Sequence, residues 1–577
     1  MGRDILKSSF ENASFSIIFQ VLFRLITFIL NAFIIRTVGQ EVLGIMNVRL
    51  TLLESTILFL SKEPLLKACL TGTKSHNWAQ VVNQIWLSIP VPAVIGLILT
   101  YVWINLLSPT DEKYWPQYIL GCYAIALSCV IEQMTQVFVL VAQSFCFVKI
   151  KIIIDTLYVV SRTLIFVYIV RANPSQSINS FSIAQVVSAV IMFLLYFGFF
   201  AWYIQGLNRF RIEGVHENRA ENIYSNMSDF PFTSILHFFP GMLSNKENIL
   251  NTNLCFLTFG FMKQSILKQV LTEGEKYVMT VSPLLTFSQQ SMYDIVNNLG
   301  SLAARFIFRP IEDSAYFYFT QMIKRGEPVV KQNQKLVSES AEVLSHLCRV
   351  VISIGLLVFV FGQSYSYSFL FIYGGHNLVE NTLPVTMLRF HSLAVVLLAI
   401  NGVTEGFVLA TIGSKELDRY NYLMVIFSIT FLMIAYLFTY FVGPVGFILA
   451  NCVNMAVRIG HSIIFTKKKY KDTKYNPLSG LIPGYKFVTG LVMSGIITKL
   501  SEVGKNEPMF NCFVGYSQVE FNMVGFQVYI LEKSMVLHIG IGAACFVFTL
   551  IMWALENRQL LKLGYAQYKR KSLTKSD

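Results

Sequence analysis

Charged side chains are scarce in this chain. Asp, Glu, Lys and Arg make up 14% of its 577 residues, against about 25% in a typical soluble domain. With a hydrophobic share of 54% and a mean hydropathy of +0.55, that shortage excludes an ordinary soluble globule. Paired cysteines are lacking too. The nine cysteines are scattered, mostly inside apolar runs, with no CxxC pair and no Cys/His cluster. Neither a disulfide framework nor a metal site is expected. No Walker motif, nucleotide fingerprint or nucleophile elbow occurs, and the acids are not arranged as a recognisable glycosidase or transferase pair. The sequence therefore predicts no enzyme and no cofactor; its chemistry points to binding and translocation. A plain signal peptide is not expected either. The first apolar run starts near Phe15, exceeds the length of an h-region and lacks a small-x-small cleavage site. The net charge of +13 would suit nucleic acid, but the excess falls in loops on one side of the apolar blocks, so nucleic acid is not expected as a partner.

What the chain does have is apolar blocks of membrane-spanning length from end to end. The reading is an all-α polytopic membrane protein of about fourteen spans. They are placed near 15–38, 43–66, 83–107, 117–143, 148–171, 181–205, 252–270, 277–300, 339–362, 385–411, 420–442, 444–466, 484–500 and 536–556. With a cytoplasmic N-terminus, 29 basic residues flank the spans on the cytoplasmic side and five on the other. That bias follows the positive-inside rule and puts both termini in the cytoplasm. The organisation expected is an N-lobe of six spans over 1–207, a cytoplasmic linker over 208–251, a C-lobe of six spans over 252–466, and spans thirteen and fourteen over 467–577. The last part carries a mixed insertion between Ser501 and Lys533 and a basic tail. The sequons at Asn12 and Asn226 fall on the cytoplasmic side and are expected to be unused.

Polar groups at membrane depth form stripes. Gln290, Asp294, Asn298, Ser301 and Arg305 step by four, four, three and four, which is one face of a helix. Such a face avoids lipid and lines a bundle interior or a water-filled cavity. Arg309, Glu312 and Asp313 follow around Pro310. Gln20, Arg24, Thr27 and Asn31 stripe the first span. Asn47, Thr51, Glu54 and Ser55 stripe the second, which also carries Arg49 and ends in Lys62, Glu63 and Lys67. Lys263 and Lys268 lie at depth in the seventh. Glu132 sits mid-span in the fourth; Asp155 and Arg162 share a face of the fifth. Asn401, Thr404 and Glu405 mark the tenth, and Asn451, Asn454, Arg458 and His461 stripe the twelfth. A lone histidine of this kind is more often structural than a proton relay. Several cations around one cavity need acids or an anionic ligand to compensate them. A diphosphate would suit, since arginine grips phosphate oxygens in a bidentate fork. The competing reading is that Arg24, Arg49 and Arg305 satisfy buried acids such as Glu54 and Asp294.

Several long runs then resemble the RFT1 family: QVLFRLITFILNAFIIR at Gln20–Arg36, NVRLTLLESTILFLSKE at Asn47–Glu63, TEGEKYVMT at Thr272–Thr280, YDIVNNLGSLAARFIFRPIE at Tyr293–Glu312, INGVTEGF at Ile400–Phe407 and VGFILANCVNMAVRI at Val445–Ile459. The resemblance spans nearly all the chain and is thinnest over Arg209–Asn253 and Glu502–Lys533. It implies the fold of the multidrug/oligosaccharidyl-lipid/polysaccharide (MOP/MATE-like) exporters: two six-helix lobes about a cavity, with two C-terminal helices added. It implies an endoplasmic reticulum protein that translocates Man5GlcNAc2-PP-dolichol from the cytosolic to the lumenal leaflet for N-linked glycosylation. Two alternatives stand beside it. One is a non-flipping factor that binds or organises dolichol-linked intermediates, with glycosyltransferases of the same pathway as partners. The other is a cation-coupled small-molecule exporter, with Glu54, Glu132 or Glu405 as coupling acids. The candidate substrate-binding set is Arg24, Asn31, Arg49, Glu54, Lys62, Glu63, Lys67, Lys263, Asp294, Asn298, Arg305, Arg309, Glu405 and Arg458. The partners expected are the dolichol-diphosphate-linked oligosaccharide and membrane lipids.

Overall fold

The computed structural model describes residues 26–70, 77–107, 112–145, 147–213, 230–243, 249–282, 284–505, 520–523, 526–529 and 533–558. Arg24, both sequons and the basic tail lie outside them. The chain divides into two compact units, Met1–Asp294 and Ile295–Asp577, and each is described by itself.

In the first unit, α1 is Ile26–Thr37 and α2 is Gln40–Leu70. Helix α2 carries a π-helical turn at Ile45–Leu50. Helices α3 (Trp78–Leu87) and α4 (Pro90–Asn105) form one broken rod, interrupted just before Pro90, a position that proline tolerates. Helices α5 (Trp115–Ser144), α6 (Val148–Ala172) and α7 (Ser177–Glu213) follow. Helix α5 is enclosed: α2, α4 and α7 all pack on it. Its apolar face joins an aromatic core in which Phe138 stacks on Phe238 at 4.8 Å between centroids and Phe232 stacks on Phe238 at 4.5 Å. Helix α8 (Thr252–Val281) lies along α2. It begins where the Asn251 side chain accepts the Leu254 N–H at 3.2 Å, the usual asparagine cap. It ends just before Pro283, which disfavours helix at the preceding residue.

The second half of the chain starts within α9 (Phe287–Gly300), continues through a π turn at Ala304–Phe308 and enters α10 (Arg309–Met322). Then come α11 (Gln334–Gly374), α12 (Thr382–Thr411), α13 (Ser414–Val442) and α14 (Val445–Tyr470). Helices α11 and α13 each stop at a glycine with positive φ, Gly375 at 73° and Gly443 at 67°. In the second unit α12 occupies the centre, touching α10, α11 and α14, over a core that includes Phe308, Leu344, Phe319 and Phe407.

Helices α15 (Tyr485–Lys505) and α16 (Lys533–Glu556) pair with each other, and α15 packs on α11. Hydroxyls stitch these faces together: Ser494 to Thr549 at 2.8 Å and Ser364 to Thr498 at 3.3 Å. Trp553 Nε1 donates to Ser353 Oγ at 3.1 Å and Tyr365 donates to the His538 carbonyl at 2.7 Å. The Glu556 carboxylate accepts from the Lys486 and Phe487 N–H groups at the start of α15, closing the pair at one end. Between α15 and α16 an antiparallel hairpin, β1 (Glu520–Met523) and β2 (Phe526–Tyr529), pairs Glu520 with Tyr529 and Met523 with Phe526.

Among the described residues, eleven helical segments are long and apolar enough to cross a membrane. The expected fourteen are not matched one for one. The three that do not qualify are the first, seventh and eighth. Only 26–37 of the first is described. The seventh and eighth were bounded differently in the sequence reading: α8 is one helix through Val281, and α9 begins only at Phe287. Of the polar residues that thin out the hydropathy of α8, Lys268 reaches Glu63 of α2.

Candidate functional site

In the first unit the polar stripes of four helices close on one another. From α2, Glu54 points into the bundle and accepts from Gln185 Nε2 of α7 at 2.8 Å; Arg162 of α6 stands 3.6 Å from the same oxygen. Arg162 also donates to Gln185 Oε1 at 3.1 Å. Glu132 of α5 accepts from the Tyr158 hydroxyl at 2.6 Å, and Gln185 Nε2 reaches that hydroxyl at 3.2 Å. Lys62, two turns beyond Glu54, stands 3.7 Å from the other oxygen of Glu132. Two acids, two bases, a phenol and an amide thus form one connected network. Both carboxylates face cations, as buried charge requires. Asp155 does not join it: Lys151 pairs with Asp155 at 2.7 Å and Tyr196 donates to it at 3.1 Å.

One residue on, Glu63 faces α8. Its Oε1 lies 3.3 Å from Lys67 Nζ and 3.6 Å from Lys268 Nζ. Lys268 Nζ also lies over the Phe59 ring, 5.3 Å from its centroid. Lys263 is exposed and lies over Phe259, away from this pair. Thr56 of α2 and Tyr277 of α8 share a 2.7 Å hydrogen bond, which fixes the two helices side by side.

Arg49 is different in kind. It sits in the π turn of α2, only 1% exposed, with its guanidinium 5.0 Å from the Phe287 ring centroid and beside Tyr118. The widened turn frees backbone carbonyls, and two side chains take them up: Thr51 Oγ1 donates to the Met46 carbonyl at 3.0 Å and Trp103 Nε1 to the Arg49 carbonyl at 3.1 Å. Asn31 is exposed on α1.

In the second unit Glu405 of α12 collects the polar groups. Arg458 of α14 donates from one nitrogen to both carboxylate oxygens, at 2.6 and 2.7 Å. Tyr420 of α13 donates at 2.5 Å and Asn401, one turn back on α12, at 2.9 Å. Lys469 reaches the Thr411 carbonyl at 2.6 Å, securing the end of α12 to α14. Glu312 of α10 rests on Gly402, where a Cβ would sit 1.5 Å from its Oε1. Burial, and then the neighbouring Asp313 carboxylate, push the Glu312 carboxyl above its ordinary value. Arg309 is exposed at the start of α10. Arg305 sits in the second π turn and folds back on its own helix, donating to the Asn298 carbonyl and to Ser301 Oγ, each at 2.6 Å. The Gln290–Arg305 stripe therefore grades along its length. Gln290 is buried, bonding to the Met279 and Leu285 carbonyls; Asp294 is half-buried; Asn298 and Arg305 are exposed.

The structure thus brings Glu54 and Lys62 into one network, Glu63 and Lys67 into a second, and Glu405 and Arg458 into a third. Sequence reasoning missed three partners that close them, Tyr158, Gln185 and Tyr420. Glu132, Arg162 and Lys268 stood out as charges at depth, but their pairing crosses helices and no spacing announces it.

Comparison with known proteins places these residues in a family. The model for the Rft protein family matches residues 8–567. The chain belongs to the Rft family. Among its relatives is the Man(5)GlcNAc(2)-PP-dolichol translocation protein of Drosophila melanogaster, 45% identical over 581 residues, covering 99% of each chain. The protein of that name from Mus musculus is 38% identical and covers 87% of this chain and 90% of its own length. That from Saccharomyces cerevisiae is 24% identical, covering 82% and 84%. Of solved structures, the lipid II flippase MurJ in an inward closed conformation aligns with a TM-score of 0.53 at 12% identity, over 94% of this chain and all of that one. That likeness is one of fold. It agrees with the all-α exporter architecture the sequence of this Rft-family chain implied.

Proposed function

We propose that this Rft-family chain translocates Man5GlcNAc2-PP-dolichol from the cytosolic to the lumenal leaflet of the endoplasmic reticulum membrane, with both its termini in the cytosol. The observation that carries the reading is the 45% identity, end to end, with a relative named for that translocation. The polar networks support it: a helical membrane protein keeps charge at depth where it packs against partners or meets a polar ligand. The half-exposed lysines around Glu63 supply positive charge for a diphosphate. Arg49 serves as a packed scaffold residue, because at 1% exposure beneath Phe287 it offers a ligand no surface.

The test reconstitutes the purified protein alone in liposomes with labelled Man5GlcNAc2-PP-dolichol and measures accessibility to an impermeant probe on the far side. Faster exposure than in protein-free liposomes is expected. No acceleration by folded protein refutes autonomous translocation. If that same protein binds the glycolipid, the accessory reading, with pathway glycosyltransferases as partners, takes its place.

A further inference from the structure

Helix α11 is 41 residues long, about 60 Å at roughly 1.5 Å per residue and twice the roughly 30 Å of a hydrocarbon core. Its charged and histidine residues end at Arg349. Lys335, Glu339, Glu342 and His346 precede it, and none follows as far as Gly374. The uncharged stretch beyond Arg349 covers about 38 Å, enough for the core and part of the headgroup layers. Arg349 therefore stands at the level of lipid headgroups, on the cytosolic side in the orientation proposed above. Contacts on either side of it fix its surroundings. One turn before, Ser345 bonds to Ser479 at 2.9 Å, and a Cβ on Gly480 would sit 1.7 Å from the Ser345 carbonyl oxygen. One turn after, Ser353 accepts from Trp553 of α16. Arg349 is thereby level with the start of α15 and the end of α16.

Among the described residues the half-buried Arg349 makes no ion pair and no side-chain hydrogen bond, and its Nε is enclosed without an acceptor. The acid at this level, Glu556, is taken up by the Lys486 and Phe487 N–H groups at 3.3 and 3.0 Å, and Gly484 is packed against its carboxylate. His346, nearer the start of α11, faces Glu342 at 3.4 Å. Two further cations lie at this end of the α15–α16 pair, Lys486 over the Tyr485 ring and Arg558. Both are exposed, and neither has an ion pair among the described residues. From 559 to 577 the sequence offers one acid, Asp577. Three cations beside one engaged acid at headgroup depth call for an anion from outside the chain. The Nε and a terminal nitrogen of arginine can hold two phosphate oxygens side by side.

We propose that Arg349, with Lys486 and Arg558 at the same end, binds the phosphate of a lipid headgroup where α11 meets α15 and α16. The contact fastens the C-terminal helix pair to one leaflet. Phosphate is common to a phospholipid and to a polyprenyl diphosphate, and the recognition is of that group.

The experiment titrates purified full-length protein with phosphatidylinositol, with a polyprenyl diphosphate and, as a phosphate-free control, with diacylglycerol, and reads bound lipid by native mass spectrometry. The variants are Arg349→Gln, Arg349→Lys, Lys486→Gln with Arg558→Gln, and Lys335→Gln, an exposed cation of α11 that controls for net charge. Losing charge-assisted hydrogen bonds at a half-buried site should weaken phosphate-lipid binding about five- to thirtyfold in Arg349→Gln. Arg349→Lys should recover part of the loss, since it restores the charge without the fork. The double variant at the two exposed positions should lose about two- to fivefold. Diacylglycerol binding, and all binding by Lys335→Gln, should match the parent. Arg349→Gln strands no protein partner, so it should unfold no earlier than the parent, which loss of an internal ion pair would not allow. Weaker binding of both phosphate lipids supports a site for either bearer. Weaker phosphatidylinositol alone assigns the site to bulk phospholipid, and weaker polyprenyl diphosphate alone assigns it to the polyprenyl carrier. Parent-like binding of both by folded Arg349→Gln overturns the proposal, as does an equal loss of diacylglycerol. Should Arg349→Gln not fold, the Lys486→Gln, Arg558→Gln protein decides by the same comparison. The readout is lipid binding, so a failed translocation assay counts against the functional reading alone.

Discussion

Arg458 and Glu405 were both candidates for touching substrate, and a substitution series separates that role from a scaffold role. The Glu405 side chain is 11% exposed and that of Arg458 33%. Arg458→Met leaves an enclosed carboxylate with Tyr420 and Asn401 as donors and no counter-ion. Breaking a buried pair by removing one partner costs about 3–5 kcal/mol. The exposure of Arg458 and the two remaining donors reduce this to about 2–3 kcal/mol, a roughly 30- to 150-fold drop in the folded-to-unfolded ratio. Glu405→Ala strands a cation that can turn to water, so its cost should be about 1–2 kcal/mol. Replacing both with Met should cost less than Arg458→Met alone, because no charge is left unpaired. Denaturant unfolding of purified protein gives the stabilities, and glycolipid titration of the same samples gives the affinities. The reasoning requires Arg458→Met to be the least stable and its folded fraction to bind normally. An Arg458→Met protein of unchanged stability that fails to bind would refute the scaffold assignment and return Arg458 to the ligand.

Other outcomes follow from single contacts. Gly44→Ala sets a Cβ 2.1 Å from the Phe287 carbonyl oxygen, so it should destabilise by about 1–3 kcal/mol in thermal or denaturant unfolding; Gly198→Ala, in α7 with nothing within 4 Å, should stabilise by about 0.5–1 kcal/mol. Glu312 has its carboxyl pushed up, so the folded state holds its proton longer than the unfolded state does. Its contribution to stability is present below the ordinary carboxylate value and is lost as pH rises through the folded value. Glu312→Gln should therefore match the parent at low pH and exceed it at neutral pH, read from unfolding midpoints. Arg49→Lys should lower the amount of folded protein recovered from membranes while leaving the affinity of that protein unchanged, since a point charge cannot lie flat on Phe287.

The extent to which the fold was legible follows from the physics of each segment. Runs such as those of α5 and α12 are apolar over whole spans, and their observed bounds fall close to those expected from hydropathy, whereas α11 runs on to Gly374, past the expected 362. The region around α8 and α9 was read less well, because its polar content obscures where lipid-depth helix begins and Pro283 decides the break. Within the site, periodicity found Glu54, Lys62, Glu405 and Arg458, since each breaks an apolar run. It did not find Gln185 or Tyr158, whose side chains are unremarkable within a span. Nor did it distinguish Arg49 from Arg305. Both sit on polar stripes, yet one is sealed under an aromatic ring and the other lies along its own helix surface.

The π turn at Ile45–Leu50 works as a spacer of one residue in α2. A turn of this type holds an extra residue relative to the α-helix around it. Were the same residues wound as regular α-helix, the extra one would rotate everything after it by roughly 100° about the axis. Glu54 would then leave Gln185, and Lys62 would leave Glu132, while Glu63 would turn away from Lys268. The phase of the C-terminal end of the rod is thus set by one widened turn some three to five turns away. A one-residue deletion in this turn should be absorbed with the contacts beyond it kept, whereas a one-residue deletion between Glu54 and Lys62 should not.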